Sequence, residues 1–71
     1  MSLKLHEYVL IDETKNDDGK VTAATTIKEA KIFADGVVDA REEILMHDAA
    51  LIETHGGRKA VRIEIRPFLN R

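Results

Sequence analysis

Residues 26–55 read TIKEAKIFADGVVDAREEILMHDAALIETH, and the way this stretch folds decides the fold of the chain. Wind it at about 100° per residue, the angle set by 3.6 residues per turn. Ile27, Ala30, Phe33, Ala34, Val37, Val38, Ile44, Leu45, Leu51 and Ile52 then gather in an arc of roughly 140°. Among the larger apolar side chains only Ile32 and Met46 fall outside it. Two unrelated helices have no reason to share a phase across Asp35-Gly36, so the expectation is one long amphipathic helix, bent or broken near Gly36 if anywhere. Thr26-Ile27-Lys28-Glu29 has the spacing of a capping box and marks its start. Gly56-Gly57 supplies the left-handed conformation that ends a helix, and a protonated His55 in the last turn would complement the dipole.

Two other readings stay open. Asp35-Gly36 can be a turn or a C-cap, and Asp39-Ala40-Arg41-Glu42 repeats the capping spacing, which splits the stretch into helices 27–35 and 40–54. Alternatively, residues 43–54 form strands with Gly56-Gly57 as a hairpin turn, leaving open whether 40–54 is helix or strand. Shared phase favours the long helix, because an interior glycine costs only about 1 kcal/mol relative to alanine.

Upstream, residues 3–11 alternate as a strand. Leu3, Leu5, Val9 and Ile11 share the more apolar face, which also carries Glu7; Lys4, His6, Tyr8 and Leu10 share the other. The acidic connection 12–19 ends in Asn16-Asp17-Asp18-Gly19, a hairpin signal because glycine accepts positive φ. Residues 20–25 form a short return strand at the sheet edge, with Val21 and Ala23 on one face. Downstream, residues 59–66 point Val61, Ile63 and Ile65 inward and Arg58, Arg62, Glu64 and Arg66 outward, until Pro67 withdraws an amide donor. The resulting architecture is α+β: a small antiparallel or mixed three-stranded sheet in the order 2-1-3, with one long helix on one face (ββαβ). The other face is left open.

With 71 residues the chain reads as a single domain, 1–71, near the lower limit of independent stability, which favours self-association. A hydrophobic content of 44% with 34% charged residues is ordinary for a folded domain and excludes a disordered composition. No apolar run approaches membrane-spanning length, and no signal-peptide core opens the chain, so no membrane partner is expected. The absence of cysteine removes disulfides and thiolate metal sites and fits a cytoplasmic setting. The net charge of −2 is unevenly spread: residues 1–57 hold 6 Lys+Arg against 12 Asp+Glu, whereas residues 58–71 hold 5 against 1.

Polar residues on the apolar stripe suggest a partner. Arg41 and Asp48 lie inside the arc, two turns apart, with their midpoint between Ile44 and Leu45. Two copies crossing antiparallel there would pair Arg41 of each with Asp48 of the other, the self-complementarity a two-fold interface requires. The expected dimer interface is therefore Arg41, Ile44, Leu45, Asp48, Leu51 and Ile52. The open sheet face offers a second surface, where Lys4, His6 and Tyr8 would neighbour Arg58, Arg62 and Arg66. An aromatic ring among cations suits single-stranded nucleic acid or another partner.

Chemistry is sparse. His47 and His55 make no chelating pair along a helix, and residues 12–19 miss the spacing of a calcium loop, so neither metal nor cofactor is expected. Ser2 is the only serine, and there is no thiol, no phosphate-cradling glycine loop and no convincing carboxylate pair, so no enzymatic activity is expected. The sequence thus points to a non-catalytic interaction module, homodimeric, binding another protein as subunit, modulator or inhibitor. Its size and layout would also suit a small phage-type regulator, and the alternative is nucleic-acid binding through the basic sheet face.

Overall fold

Helical phase and strand alternation compete for residues 26–34, and cross-strand pairing decides between them. The structure, a computed structural model, describes residues 3–67. It runs β1 Lys4–Lys15, β2 Val21–Ala34, α1 Val37–His47, α2 Ala49–Thr54 and β3 Val61–Pro67. The strands form one antiparallel sheet in the order β2-β1-β3, and the helices pack on one of its faces. This is the α+β arrangement expected, with β1 in the centre.

The principal correction is where strand gives way to helix. Residues 26–34 extend β2 rather than opening a helix, and no capping box forms at Thr26; the helix starts after Gly36. The hairpin explains it. Asn16 Oδ1 accepts from the amides of Asp18 and Lys20 (both 3.0 Å), Gly19 sits at φ +80°, and the closed turn sets β1 and β2 in register. Once aligned, the whole of β1 needs a partner, and residues 28–34 supply it from Leu10↔Lys28 to Lys4↔Ala34. Lys28, Ala30, Ile32 and Ala34 alternate onto the covered face, which takes in Ile32, one of the two large apolar residues the helical arc leaves over. Ile27 is an extra residue between Thr26, opposite Ile11, and Lys28, opposite Leu10; this β-bulge still packs Ile27 on the core.

The helical layer spans Val37–Thr54 with one local break at Asp48. Backbone bonds Asp48 N–H to Ile44 O and Ile52 N–H to Asp48 O, both 2.9 Å, carry the i→i+4 pattern through the break. Residues 37–54 therefore behave roughly as one long helix whose inward row is Ala40, Ile44, Asp48 and Ile52, all buried. Gly56, at φ +101°, and Gly57 end it as expected, and a Cβ on Gly56 would stand 2.9 Å from that of Ala60.

A second correction concerns β1. His6, Tyr8 and Leu10 face the helices, whereas Leu5, Val9 and Ile11 lie half-buried on the open side. β3 sets this choice. It pairs Ile65 with Tyr8, Ile63 with Leu10 and Val61 with Asp12, and its other face is Arg62, Glu64 and Arg66. In this register Val9 shares its face with Glu64, and Glu7 and Ile11 with Arg66 and Arg62, so turning the apolar face of β1 toward the helices would bring those charges with it. Tyr8, Leu10, Ile44, Ile52 and Val61 form the core, with Ile27, Ile32, Leu45, Leu51, Ile63 and Ile65 packed around it.

Ile44 is fully buried, whereas Met46, two residues on and on the opposite side of the helix, is 78% exposed. Ile44→Ala should cost about 3 kcal/mol and Met46→Ala less than about 0.5 kcal/mol, read as the shift in urea midpoint at constant m-value.

Candidate functional site

A carboxylate on the inward row of a helix must find partners or lose its charge, and Asp48 finds two on the sheet. Its Oδ2 accepts from the Tyr8 hydroxyl at 2.8 Å and its Oδ1 from Lys28 Nζ at 2.7 Å. Lys28 Nζ also lies 5.8 Å from the centre of the Tyr8 ring, within range of a cation–π contact. Tyr8 comes from β1, Lys28 from just beyond the β2 bulge, and Asp48 from the joint between the helices.

Burial disfavours the Asp48 charge, but the hydrogen bonds from Lys28 and Tyr8 and the nearby Lys28 and His47 charges outweigh it, holding the carboxyl below the ordinary 3.8. Lys28 is raised above 10.5, first by its bond to Asp48 and against partial burial. Tyr8 is raised above 10.0 by burial and by donating to Asp48. Activation of a lysine nucleophile or a tyrosine base needs shifts in the opposite direction. What this arrangement does chemically is to keep a protonated lysine, an ionised aspartate and a neutral phenol in place.

The surrounding ion pairs tie elements together in the same way. His55 Nδ1 lies 2.8 Å from Asp12 Oδ2, joining the end of α2 to β1. Arg62 Nε donates to Glu13 Oε2 at 2.8 Å and its Nη1 pairs with Glu64, whose Oε1 lies 4.0 Å from Arg66 Nη2. His6 Nδ1 is 2.9 Å from the Lys4 carbonyl. Among the described residues no group of three or more histidine or acidic side chains is placed to hold a metal ion.

The residues expected to form a dimer interface are divided by the fold. Ile44, Asp48 and Ile52 face this chain's own sheet, Leu45 and Leu51 pack half-buried at the core margin, and Arg41 is exposed beside Arg58. Asp48, expected to pair with Arg41 of a second copy, is engaged by Tyr8 and Lys28 of its own chain. The expected basic sheet face does not assemble either. His6 and Tyr8 are buried beneath the helices, Arg62 and Arg66 stand on the opposite face of the sheet, Arg58 lies in the loop before β3, and Lys4 is exposed at the start of β1. Sequence spacing gives no sign of Lys28 and Tyr8 as partners of Asp48, 20 and 40 residues away; only the carboxylate's place on the apolar stripe hinted that one was needed. No family model, no curated protein and no solved structure matches this chain significantly.

The sign of the linkage follows from the shifts. Asp48 stabilises the fold fully above its unfolded-state value, and that contribution disappears as pH falls through the lower folded-state value; Lys28 contributes below 10.5 and loses it as pH rises through its higher folded-state value. Asp48→Asn should cost about 2–3 kcal/mol at pH 7 and flatten the loss of stability below about pH 4, measured by urea unfolding across a pH series.

Proposed function

We propose that this chain is a small non-catalytic interaction module that binds another protein as its subunit, modulator or inhibitor. One observation carries the reading: the solvent side of α1 keeps large apolar side chains out of the core. Val38 is 72% exposed and Met46 78%, and with half-buried Leu45 they line one depression together with Arg41, Glu42 and Arg58. Positions 38, 41/42, 45 and 46 recur at one helical face, the pattern of a helix that lies in a partner's groove. Burying an apolar side chain of this size is worth about 1.5–3 kcal/mol, so a few anchors suffice for a specific contact ringed by charge. No helix among the described residues is long and apolar enough to cross a membrane. A cytoplasmic setting belongs to this reading and rests on the cysteine-free sequence.

Nucleic-acid binding is the rival. Its support is a second depression, lined by Lys15, Arg41, Arg58, Lys59 and Arg62 with Glu13 among them. The buried Tyr8 offers no stacking platform there. Affinity isolation followed by titration of the purified partner separates the two. A protein partner should lose at least about tenfold in affinity with Val38→Glu plus Met46→Glu while circular dichroism stays unchanged. Salt-steep binding of a single-stranded oligonucleotide, lost with Arg58→Glu plus Lys59→Glu, would transfer the function to nucleic acid.

A further inference from the structure

The more apolar face of β1 points away from the helices, and the charges around it are arranged in a pattern that can complement itself. Register places the open-face residues in rows across the sheet. Phe33 stands beside Leu5 in the first row, and Lys31 and Arg66 flank Glu7 in the second. Glu29 and Glu64 flank Val9 in the third, and Thr26 and Arg62 flank Ile11 in the fourth. Leu5, Val9 and Ile11 are half-buried in the single chain and Phe33 is 63% exposed. Apolar side chains therefore hold the centre at Leu5, Val9 and Ile11 and one end at Phe33, interrupted by the exposed Glu7 between Lys31 and Arg66, while the flanks change sign from the second row to the third.

We infer that a second copy of this chain covers the open face, sheet against sheet, about a two-fold axis running across the strands at the level of Tyr8. That axis turns the second row onto the third. Lys31 then meets the partner copy's Glu29 and Arg66 its Glu64, each twice by symmetry, Leu5 meets Ile11, and Glu7 lies over Val9 with Lys31 and Arg66 of its own chain on either side of it. Charge excludes the other way of stacking the faces. A two-fold axis along the strands would lay β2 over the partner copy's β3, setting Lys31 on Arg66 and Glu29 on Glu64. Centring the crosswise axis one row later, at Leu10, keeps only Glu64 against Arg62. Packed sheets sit about 10 Å apart, a gap that lysine, arginine and glutamate span while shorter aliphatic side chains interdigitate beneath them.

The paired face covers about seven residues of three strands, roughly 24 by 14 Å, which is small for a specific interface; association in the micromolar range follows. Phe33 borders Met46 in one depression, but Val9, Ile11 and the flanking charges lie on the sheet face turned away from the helices, so a test at Val9 stands or falls separately from the partner site on α1.

Sedimentation of the full chain from micromolar to millimolar concentration should show the 8.0 kDa species giving way to its dimer. Glu29→Lys with Glu64→Lys makes both flanking rows positive, and Lys31→Glu with Arg66→Glu makes both negative. Each variant alone should remain monomeric, and an equimolar mixture should dimerise. Val9→Asp should weaken dimerisation at least tenfold. A wild-type chain that stays monomeric throughout would overturn the inference, as would a mixture of folded charge variants that fails to pair. A dimer unaffected by Val9→Asp would do the same by placing the contact elsewhere. Should a charge variant fail to fold, carbodiimide coupling of mixed isotope-labelled and unlabelled wild-type protein decides the matter: Lys31–Glu29 links between copies are expected, and their absence from cross-linked dimer overturns the inference.

Discussion

The fold hangs on one carboxylate. Asp48 interrupts an otherwise apolar inward row, and its two oxygens are taken by groups from two different strands. A buried charge with one partner removed costs several kcal/mol, so the helical layer has a single well-satisfied position over the sheet and poor alternatives on either side of it. Hydrophobic contacts among Tyr8, Leu10, Ile44, Ile52 and Val61 supply the bulk of the attraction but little direction. The polar cluster supplies the direction. It also explains why a tyrosine occupies the centre of so small a core: its ring fills volume while its hydroxyl reaches the aspartate.

Much of the layout was legible in the sequence, for physical reasons that can be named. Asn16 and Gly19 mark the turn because their side chain and backbone freedom close it, Val61, Ile63 and Ile65 mark β3 by clean alternation, and Gly56-Gly57 marks the end of the helical layer. Residues 26–34 misled because Ile27, Ala30, Phe33 and Ala34 satisfy a helical arc and Ala30, Ile32 and Ala34 satisfy a strand face equally well. Local pattern could not break that tie; the length of β1 did. The bulge at Ile27 hid the signal further by shifting the alternation by one residue.

The candidate surfaces were harder to read. β1 has a more apolar face, and burying the other one makes sense only once the arginines of β3 are placed in register beside it. Two consequences follow for recognition. The aromatic ring assigned to a nucleic-acid surface becomes core, and the apolar residues assigned to the core become surface. Function in so small a domain is then a matter of which residues the fold leaves outside: Val38 and Met46 on the helix, Leu5, Val9, Ile11 and Phe33 on the sheet.

β2 closes the sheet on one side, and among the described residues no strand lies along its outer edge. A long, flat edge of this kind is a template on which further chains can add and grow into fibres. Here the ladder is broken twice, once at Ile27 and again near Thr22, whose hydroxyl donates to the Thr14 carbonyl. Each irregularity adds local twist and takes one residue out of step. An incoming strand could follow β2 along residues 28–34 but would lose alignment on reaching the bulge at Ile27. The same kinks that disguise the strand in the sequence thereby halve the length of edge on which another chain could add in register.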